Sequence, residues 1–273
     1  MSEAAATRPA ATVIVLRQGP PAQPVQLLMV RRHGRAGFAA DAWVFPGGVV
    51  DPADATLAPS RWTGLDLHRL AERFRAPAEA VLAHHVAAVR ETFEEAGLLL
   101  ARHADGTPPD LTDPGLLRLR QQLADARDAA TFTDWVEQQD LVLDLGALTY
   151  LSWWATPTAE RRRYDARFFL ARSPAEQTAL HDRMELTDQR WIGADTALEQ
   201  HRAGEMPMIY PTIKTLEQLA VHQTVDEAIG AAQHQPPPRR VQPHAVLDAD
   251  GRLERILHPD DPDYPHHLYP ASA

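Results

Sequence analysis

The 273 residues contain no cysteine. That excludes a disulfide framework and a thiolate metal site, and it suits a reducing compartment. No apolar run approaches the ~18 residues needed to cross a bilayer. The opening MSEAAATRPA lacks the charged-then-apolar layout of a secretory signal, and the closing YPASA is neither a peroxisomal nor a retention address. These absences lead us to expect a soluble, cytoplasmic protein with no membrane partner. Excess positive charge is missing too. The formal net charge is -10, against the Lys/Arg surplus that a general nucleic-acid binder needs to neutralise phosphates, so no nucleic-acid partner is expected. A small anionic substrate held locally by a few arginines and metal ions remains compatible with that balance. Internal repeats and low-complexity domains are also absent.

What is present is a hydrophobic fraction of 44%, enough for an ordinary core, in a length that suits one elaborated domain. Thr12–Leu16 and Val25–Val30 are short apolar runs around the turn-rich GPPAQP and predict two strands. Trp43–Phe45 predicts a third, ending in Pro46-Gly47-Gly48. A short helix is expected near Leu65–Phe74, and a long one over Ala78–Ala96, with Pro77 suited to its first position and Gly97 to its end. Leu82, Val86, Val89, Phe93 and Ala96 all fall within about 40° of Leu82 on the helical wheel and form its core stripe.

Leu98–Leu100 reads as the start of a strand, and 113–139 as an inserted, polar helical hairpin. Leu148–Ala155, Arg167–Leu170 and Arg190–Ile192 read as strands. Asp195–His201, Thr212–Gln223 and Val225–Ala232 read as helices. After the QPPPRR linker, His244–Leu257 reads as a hairpin turned by DADG.

The chemistry concentrates in RETFEEAGL, residues 90 to 98. Glu91 and Glu95 are four apart, so their carboxylates emerge side by side, roughly opposite the core stripe. Unpaired, such like charges oppose helix formation by a few tenths of a kcal/mol. A hard divalent cation reverses the sign, because Mg²⁺ and Mn²⁺ prefer oxygen donors. Arg90 and Glu94 are also four apart, a spacing that lets the arginine steer the glutamate. The ordinary alternative is solvated charge on an exposed helix face.

With FPGG upstream, this stretch resembles the Nudix box: G, five residues, E, seven residues, then REUXEEXGU, where U is bulky and apolar. Gly48 matches the opening glycine and residues 90 to 98 the second half, with Thr92 at an apolar position. The first half departs. The pattern allows 13 residues between glycine and arginine, whereas 41 stand here, 49 to 89. Counting back from Arg90 puts Leu82 at the place of the first glutamate. An interrupted-box subgroup, the coenzyme A diphosphatases, carries such an insertion, and this chain is similar to it from about residue 11 to 265. The resemblance rests on LLMVRR, WVFPGGVVD, WATP with RRYDARFF, MIYPTIKTLEQLA and the DG hairpin.

The resemblance implies an α/β (α+β) Nudix fold: a mixed β-sheet sandwiched between helices, with helical insertions. It implies a single domain over 8–273, interrupted at about 49–77 inside the box and at about 108–140, and ending in a hairpin at about 243–258. It also implies a Mg²⁺- or Mn²⁺-dependent diphosphatase. Metal ligands would be Glu91, Glu95, the Gly47 carbonyl and Glu185 from a distant loop. Glu94 would support them or accept a proton, and Arg90 would orient it, which makes Glu94, Glu91 and Arg90 the catalytic set. Arg31, Arg32, Phe45 and Gly48 are the substrate-binding expectations: arginine forks suit phosphate, aromatics stack on a base, and glycine admits close approach. His84 shares the acid face, where a solvated or hydrogen-bonded histidine is the ordinary reading. The partner would be a small nucleotide or coenzyme, coenzyme A or acyl-CoA first, and a homodimer is compatible with all of this. ADP-ribose, a dinucleotide or a nucleoside triphosphate is the alternative substrate, and a non-catalytic nucleotide-binding module the alternative class.

Overall fold

In the computed structural model the described residues are 5–32, 41–126, 129–179, 186–248, 250 and 253–268. The central sheet is built from β1 (Thr7–Gln18), β2 (Val25–Arg32), β3 (Trp43–Val44) and β4 (Gly47–Val49). After the two-residue β5 (Trp62–Thr63) come α1 (Leu67–Phe74), α2 (Ala78–Ala96) and β6 (Ala101–His103). The helices α3 (Pro114–Ala126) and α4 (Ala129–Gln138) lead to β7 (Leu141–Asp144), β8 (Thr149–Ala155), β9 (Arg163–Arg172) and β10 (Leu186–Gly193). The chain continues through α5 (Ala194–Arg202), α6 (Tyr210–Leu219) and α7 (Val225–His234) to β11 (Arg240–Val241), β12 (His244–Leu247) and β13 (Leu253–Leu257).

The main sheet runs β10-β2-β1-β9-β8-β11, with β3 on β2 and β4 on β1. Its β1–β9 and β8–β11 pairs are parallel and its other pairs antiparallel, so the sheet is mixed. β1 is apolar on both faces because both are covered. Ala11, Val13 and Val15 point into the core beneath α2, while Ile14 and Leu16 point into the core shared with α5, α6 and α7. β9 alternates the same way, Phe169 to the first core and Phe168 and Leu170 to the second. Two helical layers thus sandwich the sheet. A small sheet, β5-β7-β6, and the β12–β13 hairpin lie apart from it.

Several elements depart from the sequence reading. Leu98–Leu100 is irregular, and the strand begins only at Ala101, because the three leucines are buried in the core rather than paired in a ladder. Pro77 stands just before α2 rather than inside it. The strands β4, β5 and β11 are two or three residues long, too short for any periodicity to announce them. Part of the DADG turn lies outside the described residues.

Candidate active site

The long helix ends where glycine permits. Gly97 adopts φ 68° and returns its N–H to the Phe93 carbonyl, the left-handed cap that a Cβ would penalise. Upstream of that cap the helix is not the half-exposed amphipath its wheel suggests. Residues from Val81 to Arg90 are all buried, as are Thr92 to Ala96. The inserted α3 and α4 pack on its Phe93 side, with the Trp135 ring parallel to Phe93 at 6.0 Å, while β4 and the Pro52–Ala55 turn face the acids. Thr92, at an apolar position of the resembled pattern, satisfies its hydroxyl by donating to the Ala88 carbonyl at 2.7 Å. That bond removes the cost of burying it.

The acids therefore lie in the interior rather than in bulk water. Glu94 and Glu95 are 7% and 8% exposed, and the Glu91 side chain 12%. Solvated charge on an exposed face is excluded. β4 brings the glycine pair against them: Gly47 pairs with Thr12 and Gly48 with Ala11, and the Gly47 N–H donates to Glu95 Oε2 at 2.8 Å. A Cβ on Gly48 would lie 2.4 Å from the Glu91 carboxylate, and one on Gly47 would lie 2.4 Å from the Ala11 carbonyl oxygen. The Gly47 contact is with backbone and is not tolerable, so that position needs glycine for close approach, whereas a Cβ on Gly48 would displace the Glu91 carboxylate from beside the turn. Glu91 and Glu95, four residues apart, thus flank a single turn of bare backbone.

Arg90 organises the cluster. It donates from Nη1 to Glu91 at 2.8 Å and to Glu94 at 3.2 Å, and from Nη2 to the Val49 carbonyl at 2.9 Å. Its Nε and Nη2 also reach the two oxygens of Asp54, each at 3.0 Å. Asp54 is fully buried in the 3-10 turn Pro52–Ala55, where it also accepts from the Asp51 N–H at 2.8 Å. Backward counting from Arg90 reaches Leu82, a core residue as its place on the stripe predicts, and so missed Asp54. The signal lay forward. Asp54 stands six residues after Gly48, at the spacing of the first acid in the resembled pattern, and the extra residues enter only after it. They comprise a second 3-10 turn, β5 and α1.

Three carboxylates sharing one guanidinium shift each other. Burial opposes the charge on Arg90, but Glu91, Asp54 and Glu94 outweigh it and raise its pKa. Burial, with Glu91 beside it, pushes Glu94 up to about 7 despite Arg90. Burial also raises Asp54, with the Arg90 bonds acting against it.

The other expected site residues fall out differently. Arg31 and Arg32 end β2, next to β3. Arg31 stands 3.6 Å from Asp41, and the Arg32 Nε is buried with no hydrogen-bond partner among the described residues. Phe45 is 3% exposed and belongs to the core on the sheet face away from α2, so packing, not stacking on a ligand, accounts for it. His84 is buried and hydrogen-bonded to the Ala80 carbonyl at 2.6 Å. Glu185 lies outside the described residues. Among the described residues no group of three or more Asp, Glu, His or Cys side chains is arranged to hold a metal ion, and no helix is long and apolar enough to cross a membrane. The donor set nevertheless fits a hard cation in type: oxygen ligands beside a backbone cradle that a Cβ would fill.

Comparison with known proteins agrees with this geometry. Residues 66–219 match the family model described as the NUDT19 Nudix domain. The acyl-coenzyme A diphosphatase NUDT19 of Gallus gallus is 29% identical over 88% of this chain and 74% of its own. Its Homo sapiens counterpart is 29% identical over 74% of this chain and 62% of its own. A solved Nudix hydrolase from Alicyclobacillus acidocaldarius is 30% identical, covers 85% of this chain and 99% of its own, and superposes with a TM-score of 0.71. With the family model matching over half the chain, and that hydrolase alike across nearly its whole length, the chain belongs to the Nudix hydrolase family.

Proposed function

We propose that the protein hydrolyses the diphosphate linkage of coenzyme A or an acyl-CoA, releasing phosphopantetheine, acylated or not, and adenosine 3′,5′-bisphosphate. The observation that carries the reading is the apposition of Glu91 and Glu95 to the Gly47–Gly48 backbone. The names of the chicken and human relatives support the coenzyme as substrate.

Glu91, Glu95 and the Gly47 carbonyl would hold Mg²⁺ or Mn²⁺, with Glu185 as a further donor. When bound, the cation supplies charge neutralisation at the diphosphate and a water acidified toward hydroxide. The chain's own residues do the rest. Glu94, held near neutrality by burial and by Glu91, accepts the water proton, because a base is most useful with its pKa near the working pH. Arg90 keeps Glu91 and Glu94 in one geometry through bonds of 2.8 and 3.2 Å. Asp54 and the Val49 carbonyl in turn hold Arg90. Gly48 lets a phosphate approach the backbone, and Arg31 and Arg32 at the end of β2 offer guanidinium forks to its oxygens. Attack is in line, on one phosphorus of the anhydride.

The test is a panel of coenzyme A, acyl-CoA, ADP-ribose, a dinucleotide and nucleoside triphosphates with Mg²⁺ or Mn²⁺, read by mass spectrometry of the products. Coenzyme A or acyl-CoA is expected to be cleaved with the highest kcat/KM. Preference for ADP-ribose or a triphosphate would move the substrate within the family. Binding without turnover of any member would overturn the hydrolytic reading.

A further inference from the structure

The inserted helix α3 reaches the end of α2 through one side chain. Arg120 is 9% exposed and donates from Nε to the Glu94 carbonyl and from Nη2 to the Glu95 carbonyl, each at 3.0 Å. These are among the last four carbonyls of α2, which have no partner inside the helix. The remaining cap is the Gly97 N–H bond to the Phe93 carbonyl. A cation at a helix C-terminus also lies at the negative end of the helix dipole. The two residues whose carbonyls Arg120 grips are those whose side chains face the site. Glu94 bonds to Arg90 at 3.2 Å, and Glu95 accepts from Gly47 at 2.8 Å. The same insertion packs aromatic rings on the helix through Phe132 and Trp135, 6.4 and 6.0 Å from Phe93.

We infer that Arg120 is a positioning residue: the insertion spanning α3 and α4 is a working part of the active site, and Arg120 sets the register of the last turn of α2 and with it the aim of Glu94 and Glu95. The fork geometry supports this. A planar guanidinium donating to two successive carbonyls fixes rotation as well as height, which a single ammonium does not. Residues that orient ligands from behind contribute about 10- to 100-fold in metal affinity or activity. The helix end would otherwise fray, because terminal turns are the least constrained part of a helix.

The inference rests on the proposed diphosphatase for its catalytic readout, so two further readouts are independent of it. R120A is expected to lose about 10- to 100-fold in kcat with KM changed little, and to bind Mn²⁺, followed by electron paramagnetic resonance, correspondingly more weakly. The Gly47 amide, which donates to Glu95, is expected to exchange its hydrogen faster in R120A than in the parent, whatever the protein's substrate proves to be. R120K keeps the stem and the charge but not the fork. It is expected to fold as the parent does and to fall between parent and R120A in all three readouts, so it carries the test if R120A folds poorly. If R120K, or a folded R120A, keeps parental kcat, Mn²⁺ affinity and Gly47 exchange, the inference is overturned, and a lowered Tm alone would leave Arg120 a merely structural brace. If the parent itself cleaves no diphosphate, the proposed function falls while the exchange comparison still decides the role of Arg120.

Discussion

Two arginines are buried, Arg90 on α2 and Arg167 on the sheet, and they are neutralised in opposite ways. Arg90 sits among Asp54, Glu91 and Glu94, with a carbonyl completing its shell. Arg167 on β9 is 5% exposed, with its guanidinium 3.4 Å from the Trp153 ring centroid, 5.1 Å from Phe74 and 5.6 Å from Tyr150. Its Nη1 donates to the Tyr150 hydroxyl at 2.5 Å, and its Nε has no hydrogen-bond partner among the described residues. Burial lowers the pKa of Arg167, with Tyr150 and Asp165 pulling it back, whereas the acids around Arg90 raise its own. The two sites share one row of the sheet: Gly48 pairs with Ala11, Ala11 with Arg167, and Arg167 with Trp153. The lesson lies in the surplus. Around Arg167 one cation is balanced by π faces, a phenol and the field of Asp165, with its Nε unpartnered among the described residues. Around Arg90 acids outnumber the guanidinium, an arrangement that suits the further cation proposed above.

The sharpest test replaces each arginine by methionine. R90M strands three buried acids and is expected to cost about 3–5 kcal/mol in denaturant-monitored unfolding. R167M leaves chiefly the Tyr150 hydroxyl short of a donor and is expected to cost about 1 kcal/mol. Equal losses would collapse the distinction between the two sites.

A second comparison moves from stability to chemistry. E95Q keeps the shape beside Gly47 but halves the charge facing it across the helix turn, and kcat/KM is expected to fall about 100-fold at nearly parental Tm. Full turnover in E95Q would contradict the metal-ligand role proposed for that residue. Asp54, by contrast, reaches the acids through Arg90, besides capping its own turn at the Asp51 N–H. D54N keeps one acceptor for the guanidinium, so it is expected to lower Tm by several degrees while losing less activity than E95Q. Circular dichroism melts beside initial rates would show whether the two effects separate.

The smallest effect is one of pH. The folded pKa of Glu94 is raised from 4.5 to about 7, so between those values the folded protein holds a proton that the unfolded chain has released. The corresponding stability is fully present below about 4.5 and is lost as pH rises through about 7. In chelator, denaturation midpoints are expected to fall across that window, and saturating Mg²⁺ is expected to flatten the fall. The same scan on E94Q should be flatter without any metal. A midpoint that climbs from pH 5 to 7 in chelator would contradict the assigned direction.

How much of this was legible in the chain depends on how far apart the cooperating residues lie. The acids at 91, 94 and 95 could be read because their relation is local: helical spacing alone puts Glu91 beside Glu95 and Arg90 beside Glu94. The glycine cap and the core stripe are legible for the same reason. Asp54 left a weaker trace, a spacing from Gly48 that shows only when counted forward, because 36 residues separate it from the arginine it binds. Arg120 left none. It recognises backbone carbonyls, which every residue possesses, so no pattern of side chains announces the contact. The burial of α2 on its polar side was hidden as well, since the β4 glycines and the turn carrying Asp54 that face it lie far away along the chain.

By itself, then, the sequence determined which residue types share a helical face, where that helix stops, and that two glycines precede it within reach of the family pattern. Only the tertiary structure decided that the acids are buried, that Asp54 completes the Arg90 pairing, and that a second helix grips the final turn from behind. The physical reason is range. Periodicity and capping act over a few residues, whereas desolvation and charge pairing depend on what the folded chain brings within a few ångströms, whatever the distance along it.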